Sequence, residues 1–304
     1  MRKAKKGAAR NARRIRILVN PKSGFHSVTR TLRTLEELFA APDWAADIHP
    51  LKSQGHARLL AAEAAGKGYW SVIVAGGDGT INEVVQALAG TRTRLGVLPL
   101  GTGNGLARGL GIPLDLRKAS RIILQGRERR VDLGLINGRR YFINICGVGF
   151  DAWIAQTANR LRGLGKVSGL FRYLVAGLLS VFRYRPRRLR VAFGGRRVEG
   201  EILLLAVSNT TQYGLNAVIA PGADPGDREL DLVMVPPLGP RAFVSNFFRL
   251  FQGRPLEKAS YGRLTEIEIQ GPPSDVFFHA DGEPAGRLPL SIRLSPRSLR
   301  VLVP

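Results

Sequence analysis

Residues 71–88 read SVIVAGGDGTINEVVQAL, and this stretch decides the fold. The apolar run Ser71–Ala75 predicts a buried strand, and Ile81–Leu88 has the pattern of a helix. The glycines between them have no Cβ, so backbone N–H groups can approach phosphate oxygens closely. Thr80 stands at the start of the helix, where a hydroxyl can cap it and free amides favour an anion. The stretch therefore predicts a phosphate-binding turn between a strand and a helix.

Asp78 carries a negative charge inside this electropositive loop, so it is out of place as a phosphate contact. A carboxylate at this position fits a group that helps to hold Mg²⁺. The alternative is a tight strand-to-helix turn in which Asp78 only caps the helix, because short glycine motifs recur by accident.

The same order of apolar run, glycine-containing loop and helical pattern occurs twice more in the first half of the chain. Ile15–Val19 is followed by NPKSG (Asn20–Gly24), and Leu95–Leu98 by PLGTGNG (Pro99–Gly105). Strands alternating with amphipathic helices predict a parallel sheet with helices on both faces. In such sheets ligands bind beyond the carboxyl ends of the strands, where all three loops fall.

After about Val131 the pattern changes to strand-like runs separated by turn residues. The runs are Tyr141–Ile145, Leu189–Phe193, Ile202–Val207, Leu230–Val235, Thr265–Ile269, Val276–His279 and Leu290–Leu294. One helical insertion is expected at about Ala152–Arg183. The sequence thus predicts an α/β protein with two domains: an N-terminal Rossmann-like parallel domain and a C-terminal β-rich, β-sandwich-like domain.

The chain is strongly basic, with 46 Lys and Arg against 23 Asp and Glu and a net charge of +23. This charge attracts polyanions such as an anionic membrane surface, nucleic acid or a phosphorylated substrate. Cys146 is the sole cysteine, which excludes an intramolecular disulfide and fits a reducing cytoplasm. The start of the chain, MRKAKKGAARNARR, has no apolar core of a signal peptide, and no run of about 20 apolar residues predicts a membrane span. We therefore expect a soluble or peripheral protein.

Residues 159–190 alternate basic clusters with apolar residues. This pattern favours an interfacial element on an anionic membrane, although a helix packed on its own domain with a solvated basic face has the same pattern. Zinc-finger spacing and aromatic-rich single-strand motifs are absent from the sequence, so no specific nucleic-acid partner is expected.

Seven motifs occur in order: NPKSG, GGDGTINEV, LPLGTGN with LARGLGIP, NICGVGFDA, APGA, LDLVMV and DGE. Together they resemble the diacylglycerol and sphingosine kinase superfamily, particularly its bacterial lipid kinases, over nearly the whole span Ile15–Leu302. The resemblance implies transfer of the γ-phosphate of ATP to a lipid hydroxyl of diacylglycerol, a sphingoid base or a related lipid. It also implies a nucleotide-binding diacylglycerol kinase catalytic domain at 15–132 and a β-rich lipid-binding domain at 133–304. The run of basic residues before them predicts a disordered arm at 1–14.

The resemblance also assigns roles to individual positions. It implies Glu283 as the catalytic base and Asp78 as a catalytic residue near Mg²⁺. It further implies nucleotide contacts at Asn20, Gly76, Gly77, Asp78, Gly79, Thr80, Ile81, Asn82 and Thr102, and metal contacts at Asp224, Asp227 and Glu229. The chain departs from the family pattern at Leu51, where a threonine is usual, at Gly105, where many relatives carry Asp, and at Arg228, where glycine is usual.

The chemistry agrees with the role of Glu283, because a lipid hydroxyl is a poor nucleophile and needs a carboxylate within hydrogen-bond reach. Asp281-Gly282 between two strand-like runs also predicts a hairpin turn, which can present Glu283. ATP as co-substrate and Mg²⁺ are the expected cofactors. The expected partner is a lipid substrate at an anionic membrane, with the protein in the cytoplasm at the inner face of that membrane and a homodimer left open.

Two other functions remain at this stage. NAD kinases also use a Gly-Gly-Asp-Gly-Thr loop, which allows an NAD kinase-like small-molecule kinase. A non-catalytic basic protein that binds lipid or nucleotide on the same fold is the second alternative.

Overall fold

The computed structural model describes residues 12–23, 27–160, 175–177, 179–180, 183–272 and 276–304. The chain divides into two compact units. The first takes the chain up to Gly101, with Gly111–Arg130 and Leu299–Pro304; the second takes Thr102–Leu110 and Val131–Ser298. The predicted ranges 15–132 and 133–304 were each continuous, whereas both units of the structure are built from separated segments.

The first unit is built around a six-stranded sheet with the order β2-β1-β3-β4-β18-β5. Its strands are β1 (Arg13–Val19), β2 (Trp44–Pro50), β3 (Ser71–Gly76), β4 (Arg94–Pro99), β5 (Arg127–Val131) and β18 (Leu299–Val303). Its helices are α1 (Val28–Leu38), α2 (His56–Gly66), α3 (Asp78–Leu88) and α5 (Leu116–Gln125). β1 pairs in parallel with β2 and β3, and β4 pairs in parallel with β3 and β18, which confirms the predicted parallel α/β domain.

The C-terminal boundary of the predicted N-terminal arm, residues 1–14, is wrong. β1 already begins at Arg13, where it pairs with Trp44 of β2. The alternation of arginine with apolar residues there fits a strand that is solvated at its start and buried from Ile15 onwards. Residues 1–11 lie outside the described part of the chain.

Arg16 is a buried charge in the first unit, with only 4% of its surface exposed. Its guanidinium donates to Asp47 Oδ2 at 2.9 and 3.0 Å and to Glu63 Oε2 at 3.1 Å. Burial alone would raise the pKa of Asp47, but hydrogen bonds from Arg16 and Tyr69 outweigh it and the pKa lies below its usual value. Asp47 thus compensates the buried cation and joins β1 to β2.

We expect Asp47→Asn to lower the free energy of unfolding by about 2 kcal/mol at pH 7, because the buried cation loses its main partner while solvent still screens the half-exposed site. A carboxylate whose folded pKa is depressed stabilises the fold above its unfolded pKa, and this is lost as pH falls through the folded value. The difference from wild type in urea unfolding should therefore be present at pH 8 and shrink below about pH 4. Asp43→Asn, at an exposed position nearby, is the control; an equal loss in both variants would contradict the argument.

The second unit contains two six-stranded antiparallel sheets within the described residues. The first has the order β10-β9-β14-β17-β6-β7 and the second β13-β12-β11-β8-β15-β16. The first sheet comprises β6 (Gly134–Ile136), β7 (Arg140–Phe142), β9 (Arg187–Phe193), β10 (Arg196–Ile202), β14 (Glu266–Gln270) and β17 (Leu290–Leu294). The second comprises β8 (Ile145–Gly149), β11 (Leu204–Ser208), β12 (Leu230–Val235), β13 (Ser260–Leu264), β15 (Phe277–Ala280) and β16 (Glu283–Arg287).

The two sheets share one apolar core, so they form the predicted β-sandwich. Phe142, Val191 and Ile292 of one sheet pack in the same buried cluster as Leu232 and Phe278 of the other. Because side chains alternate across a strand, the second sheet buries a second set of residues on its opposite face, including Ala206 and Val233. That face is covered by chain segments outside the sheets, among them Leu250 of a helix described next.

The second unit also has helices α4 (Gly105–Gly109), α6 (Phe150–Arg160) and α7 (Pro240–Gln252). α6 begins the helical insertion predicted for Ala152–Arg183, whose residues 161–174, 178 and 181–182 lie outside the described part. The prediction of a single helical insertion is wrong, because α7 is a helix of this unit that lies outside Ala152–Arg183. None of the helices in the described residues is both long and apolar enough to cross a bilayer.

Candidate active site

The glycine-rich loop of the first unit is a strand-to-helix turn. β3 ends at Gly76, Gly77 is the extended N-cap residue, and Asp78 opens the first turn of α3. The amides of Thr80 and Ile81 both donate to the Gly77 carbonyl, at 3.0 and 3.1 Å. Asp78 is thus the first residue within the helix and Gly77 is its cap, so the alternative of Asp78 as the capping residue is wrong.

Asn20 and Thr80 are separated by 60 residues in sequence but meet in the structure. Asn20 Nδ2 donates to Thr80 Oγ1 at 2.8 Å, and the Asn20 amide donates to the Ala75 carbonyl at 2.9 Å. The first two predicted loops therefore lie side by side at the carboxyl ends of β1 and β3. Ile81 and Asn82 are both buried in α3.

The glycine loop also packs tightly against the third predicted loop. The Leu100 amide donates to the Gly76 carbonyl at 3.0 Å. A Cβ added at Gly77 would lie 3.2 Å from the Gly101 Cα, which is closer than ordinary van der Waals contact. Gly77 lacks a side chain because two backbones approach each other here.

We expect Gly77→Ala to weaken binding of Mg·ATP about tenfold, because the added methyl group pushes the loop backbone away from Gly101 and displaces its amides. Isothermal titration calorimetry measures this affinity. Gly66→Ala, in the same unit, places its methyl group in open space and is the matched control. A Gly77→Ala variant with wild-type ATP affinity would show that the loop does not bind the nucleotide.

Thr102 begins the first segment of the second unit, and Gly105 opens α4 three residues later. A Cβ at Gly105 would lie 2.5 Å from the Tyr213 carbonyl oxygen and 2.6 Å from Asn144 Nδ2. The aspartate found here in many relatives has no room unless these two groups move. Asn144 occupies the space, donating to the Gln212 carbonyl at 3.0 Å and accepting from the Thr210 hydroxyl.

Glu283 is presented by a two-residue hairpin turn. Asp281 and Gly282 connect β15 to β16, with φ of 51° and 81°, as a type I′ turn requires. Glu283 is the first residue of β16; its side chain is 31% exposed and lies 3.6 Å from Arg140. The predicted hairpin and the predicted base thus coincide.

Asp281 fixes this turn to the neighbouring chain. Its Oδ1 accepts from the amides of Asn144 at 2.8 Å and Ile145 at 3.1 Å, and its Oδ2 accepts from the amide of Ile143 at 3.2 Å. The Asp281 amide donates in return to the Ile145 carbonyl at 2.9 Å. One carboxylate therefore satisfies three backbone donors and holds Glu283 at a defined position.

A buried polar network beneath the turn was missed by sequence reasoning. His279 Nε2 lies 3.2 Å from Asp151 Oδ2, and the Tyr213 hydroxyl donates to the same oxygen at 2.7 Å. The Gly282 amide donates to His279 Nδ1 at 3.2 Å, so a neutral His279 carries its proton on Nε2 and donates to Asp151. Burial and the nearby Asp151 raise the pKa of Tyr213 well above its usual value. Gly147 leaves room for this network, because any side chain at that position would collide with Asp151 and His279.

The predicted metal residues lie in an acidic segment that is crossed by arginines. Arg263 Nη1 lies 3.3 Å from Glu229 Oε2 and 4.0 Å from Asp227 Oδ2. Burial and the charges of Asp227, Glu229 and Asp224 raise the pKa of Asp231 to about 6, although Arg263 opposes them. Negative charge therefore exceeds what Arg263 neutralises.

Arg228, the departure from the family's glycine, adopts the left-handed conformation (φ 67°) that a glycine would take. Its amide and its guanidinium Nη1 donate to the two oxygens of buried Asp132, at 2.8 and 3.1 Å. The arginine thus keeps the backbone shape of the loop and adds an ion pair.

Comparison with known proteins agrees with this arrangement. The model of the diacylglycerol kinase catalytic domain matches residues 14–136, and the model of the YegS C-terminal NAD kinase beta sandwich-like domain matches residues 144–303. A diacylglycerol kinase of Mycobacterium tuberculosis is 35% identical over 256 residues, covering 82% of this chain and 81% of its own length. The chain belongs to the diacylglycerol kinase family.

Other members of the diacylglycerol kinase family match along their whole length. A diacylglycerol kinase of Bacillus subtilis is 31% identical over 297 residues, covering 96% of this chain and 97% of its own. The solved structure of a diacylglycerol kinase from Bacillus anthracis superposes with a TM-score of 0.72 at 22% identity, covering 96% and 97% of the two chains. The fold is therefore that of the family.

The two places where the family resemblance implies Mg²⁺ differ in how well this chain fits it. Near Asp78 a single carboxylate stands in a loop suited to phosphates, which fits Mg²⁺ because this ion is commonly held by one or two carboxylates and substrate phosphates. In the acidic segment, Arg263 lies among the carboxylates, and in the described part of the chain no three Asp, Glu, His or Cys side chains converge on a metal position. A preformed metal centre does not fit there.

Proposed function

We propose that this chain is an ATP-dependent lipid kinase that transfers the γ-phosphate of ATP to the hydroxyl of diacylglycerol or a related lipid. Its relatives in Mycobacterium tuberculosis and Bacillus subtilis are named diacylglycerol kinases, which supports the substrate class. The loop Gly76–Thr80 with Asn20 receives the phosphates. Asp78 holds Mg²⁺, which neutralises charge on the phosphates when it is bound.

The observation that carries the proposal is the placement of Glu283. A partly exposed carboxylate stands at the first position of a strand, directly after a turn that Asp281 fixes through three backbone amides. A general base needs this combination of access and fixed position. In the proposed reaction, a Glu283 carboxylate oxygen accepts the proton of the lipid hydroxyl. The hydroxyl oxygen bonds to the γ-phosphorus of ATP as the bond from that phosphorus to ADP breaks and ADP leaves.

The remaining predicted residues take supporting roles. Thr102 is proposed as a further nucleotide contact. Asp224, Asp227 and Glu229 stay as predicted, but no step of the proposed reaction passes through them. Lipid at an anionic membrane surface is the proposed partner and the inner face of that membrane the proposed location, while a homodimer stays a prediction.

The test is transfer of labelled γ-phosphate from Mg·ATP to diacylglycerol, a sphingoid base, ceramide and phosphatidylglycerol in mixed micelles, with NAD as a further acceptor. We expect label in at least one lipid and none in NAD. Label in NAD alone would favour the NAD kinase-like alternative. No label in any acceptor, from protein that binds ATP, would favour the non-catalytic alternative.

A further inference from the structure

Helix α7 presents an apolar face to solvent. Val244, Phe247, Phe248 and Phe251 are each between 46% and 58% exposed and recur every three or four residues, so they lie on one side of the helix. The rings also pack on one another, with Phe247 centroids 5.7 Å from Phe248 and 5.2 Å from Phe251. Three neighbouring phenylalanines on an outer helix face are a feature of interaction surfaces.

The opposite side of α7 is firmly attached, so this exposure is not fraying. Buried Asn246 accepts from the Glu257 amide at 2.7 Å and donates to the Glu257 carbonyl at 3.1 Å. The Phe243 ring packs edge-on against Phe150 of α6 at 5.6 Å, and the Leu250 carbonyl accepts from the Val218 amide at 2.8 Å. The fold thus fixes the phenylalanines in an outward position.

The charged residues in and next to α7 are mostly cations. Within residues 240–262 the sequence has four cations, Arg241, Arg249, Arg254 and Lys258, and one carboxylate, Glu257. Glu257 is already engaged by Ser245 at 2.9 Å and Arg249 at 3.1 Å. Arg241, Arg254 and Lys258 are exposed, so the apolar face has a cationic border.

We propose that the outer face of α7 docks on an anionic lipid surface, with Val244 and the three phenylalanines in the acyl boundary and the exposed cations among the headgroups. Aromatic residues flanked by Lys and Arg are the composition of helices that lie in a membrane interface. The cationic border matches anionic headgroups. The choice of a lipid surface rests on the proposed function, since a lipid kinase must reach a substrate held in a membrane.

This surface is distinct from the interfacial element predicted from sequence at residues 159–190, which lies largely outside the described residues. α7 was not recognised as a helix from the sequence. Substitutions in α7 leave residues 159–190 unchanged, so they test the α7 surface separately from the earlier segment.

The experiment is cosedimentation with phosphatidylcholine vesicles, with and without phosphatidylglycerol, in the absence of ATP. The triple variant Phe247→Ser, Phe248→Ser, Phe251→Ser should bind anionic vesicles at least about tenfold more weakly than wild type. Leu59→Ser, at a leucine 69% exposed on α2, should bind like wild type and is the control. Wild-type binding by a folded triple variant would overturn the proposal.

A fluorescent label tests the orientation directly. Cys146 is buried and burial raises the pKa of its thiol, so a Phe251→Cys variant should react with a thiol-specific NBD label at residue 251 alone. We expect the emission to rise and shift to the blue on anionic vesicles, and a label at Leu59→Cys to stay unchanged. Equal responses at both positions would contradict insertion of α7.

Three further outcomes are informative. A dimer in vesicle-free sedimentation that the triple variant abolishes would make this face a contact between copies and overturn the lipid proposal. Vesicle binding is measured in the absence of turnover. If α7 docks on anionic vesicles but the protein phosphorylates no lipid, the proposed function alone is rejected. Full lipid phosphorylation on vesicles by the triple variant, with wild-type binding, would reject the docking surface alone.

Discussion

Glu283→Gln should lower the rate of lipid phosphorylation about a thousandfold, within the range that loss of a general base produces. Glutamine keeps the size of the side chain and can still contact Arg140, but it cannot accept a proton from the lipid hydroxyl. ATP affinity should be unchanged, because Glu283 is not among the predicted nucleotide contacts. Single-turnover transfer of labelled phosphate to diacylglycerol measures the chemical step.

Glu268→Gln is the matched control for this change. It makes the same substitution at an exposed position of β14, so it removes the same charge from the same unit and should leave the rate unchanged. A Glu283→Gln variant that retains more than about a tenth of the wild-type rate would exclude Glu283 as the base.

Asp281→Asn should lower the free energy of unfolding by about 2–3 kcal/mol. The rate of lipid phosphorylation should fall as well, because the turn that presents Glu283 is less firmly held. Asn-Gly suits a type I′ turn, so the backbone conformation itself is not penalised. The loss arises because the side-chain amide has one acceptor oxygen, and its NH₂ group meets the Ile143 amide, so two donors face each other. Urea unfolding and the phosphorylation rate measure the two effects.

The structure contains a second turn of the same kind for comparison. Asn137 and Gly138 have φ of 48° and 68°, and Asn137 Oδ1 accepts from the Ser291 amide at 2.8 Å. Asn137→Asp replaces an amide by a carboxylate, the reverse of Asp281→Asn, and keeps an acceptor oxygen for the Ser291 amide. We expect its free energy of unfolding to lie within about 0.5 kcal/mol of the wild-type value. Equal stability of wild type and Asp281→Asn would mean that the carboxylate does not anchor the turn.

Sequence reasoning succeeded where local pattern dominates. The strands Leu230–Val235 and Leu290–Leu294 have the predicted bounds, because the first is a short apolar run, the second alternates apolar with polar residues, and turns flank both. The meeting of Asn20 with Thr80 follows from the parallel sheet, since loops at the carboxyl ends of neighbouring strands must lie together.

It failed where distant residues decide the local structure. The predicted strand Tyr141–Ile145 is divided in the structure between β7 and β8, because Asp281, more than 130 residues later, binds the amides of Ile143, Asn144 and Ile145. Likewise, the predicted strand Ile202–Val207 spans the end of β10 and most of β11, with Leu203 between them.

Helix α7 and the buried His279 network escaped prediction for related reasons. Pro236 and Pro237 indicate a turn, and the phenylalanines and valine of α7 favour strands as isolated residues. Asp151 and His279 are 128 residues apart, and no motif links them. The family resemblance implies the roles of Asp78 and Glu283, and the Glu283→Gln variant tests the second of them.

The position of β18 between β4 and β5 has a consequence for biosynthesis. β18 supplies Leu299 and Val301, both fully buried, to the central sheet of the first unit. A ribosome that has translated the chain through β5 has therefore delivered a sheet that lacks the strand between β4 and β5 until residues 299–303 emerge. The nascent chain must keep that apolar gap from aggregating while the second unit is translated, so a chaperone that shields it should raise the yield of folded protein.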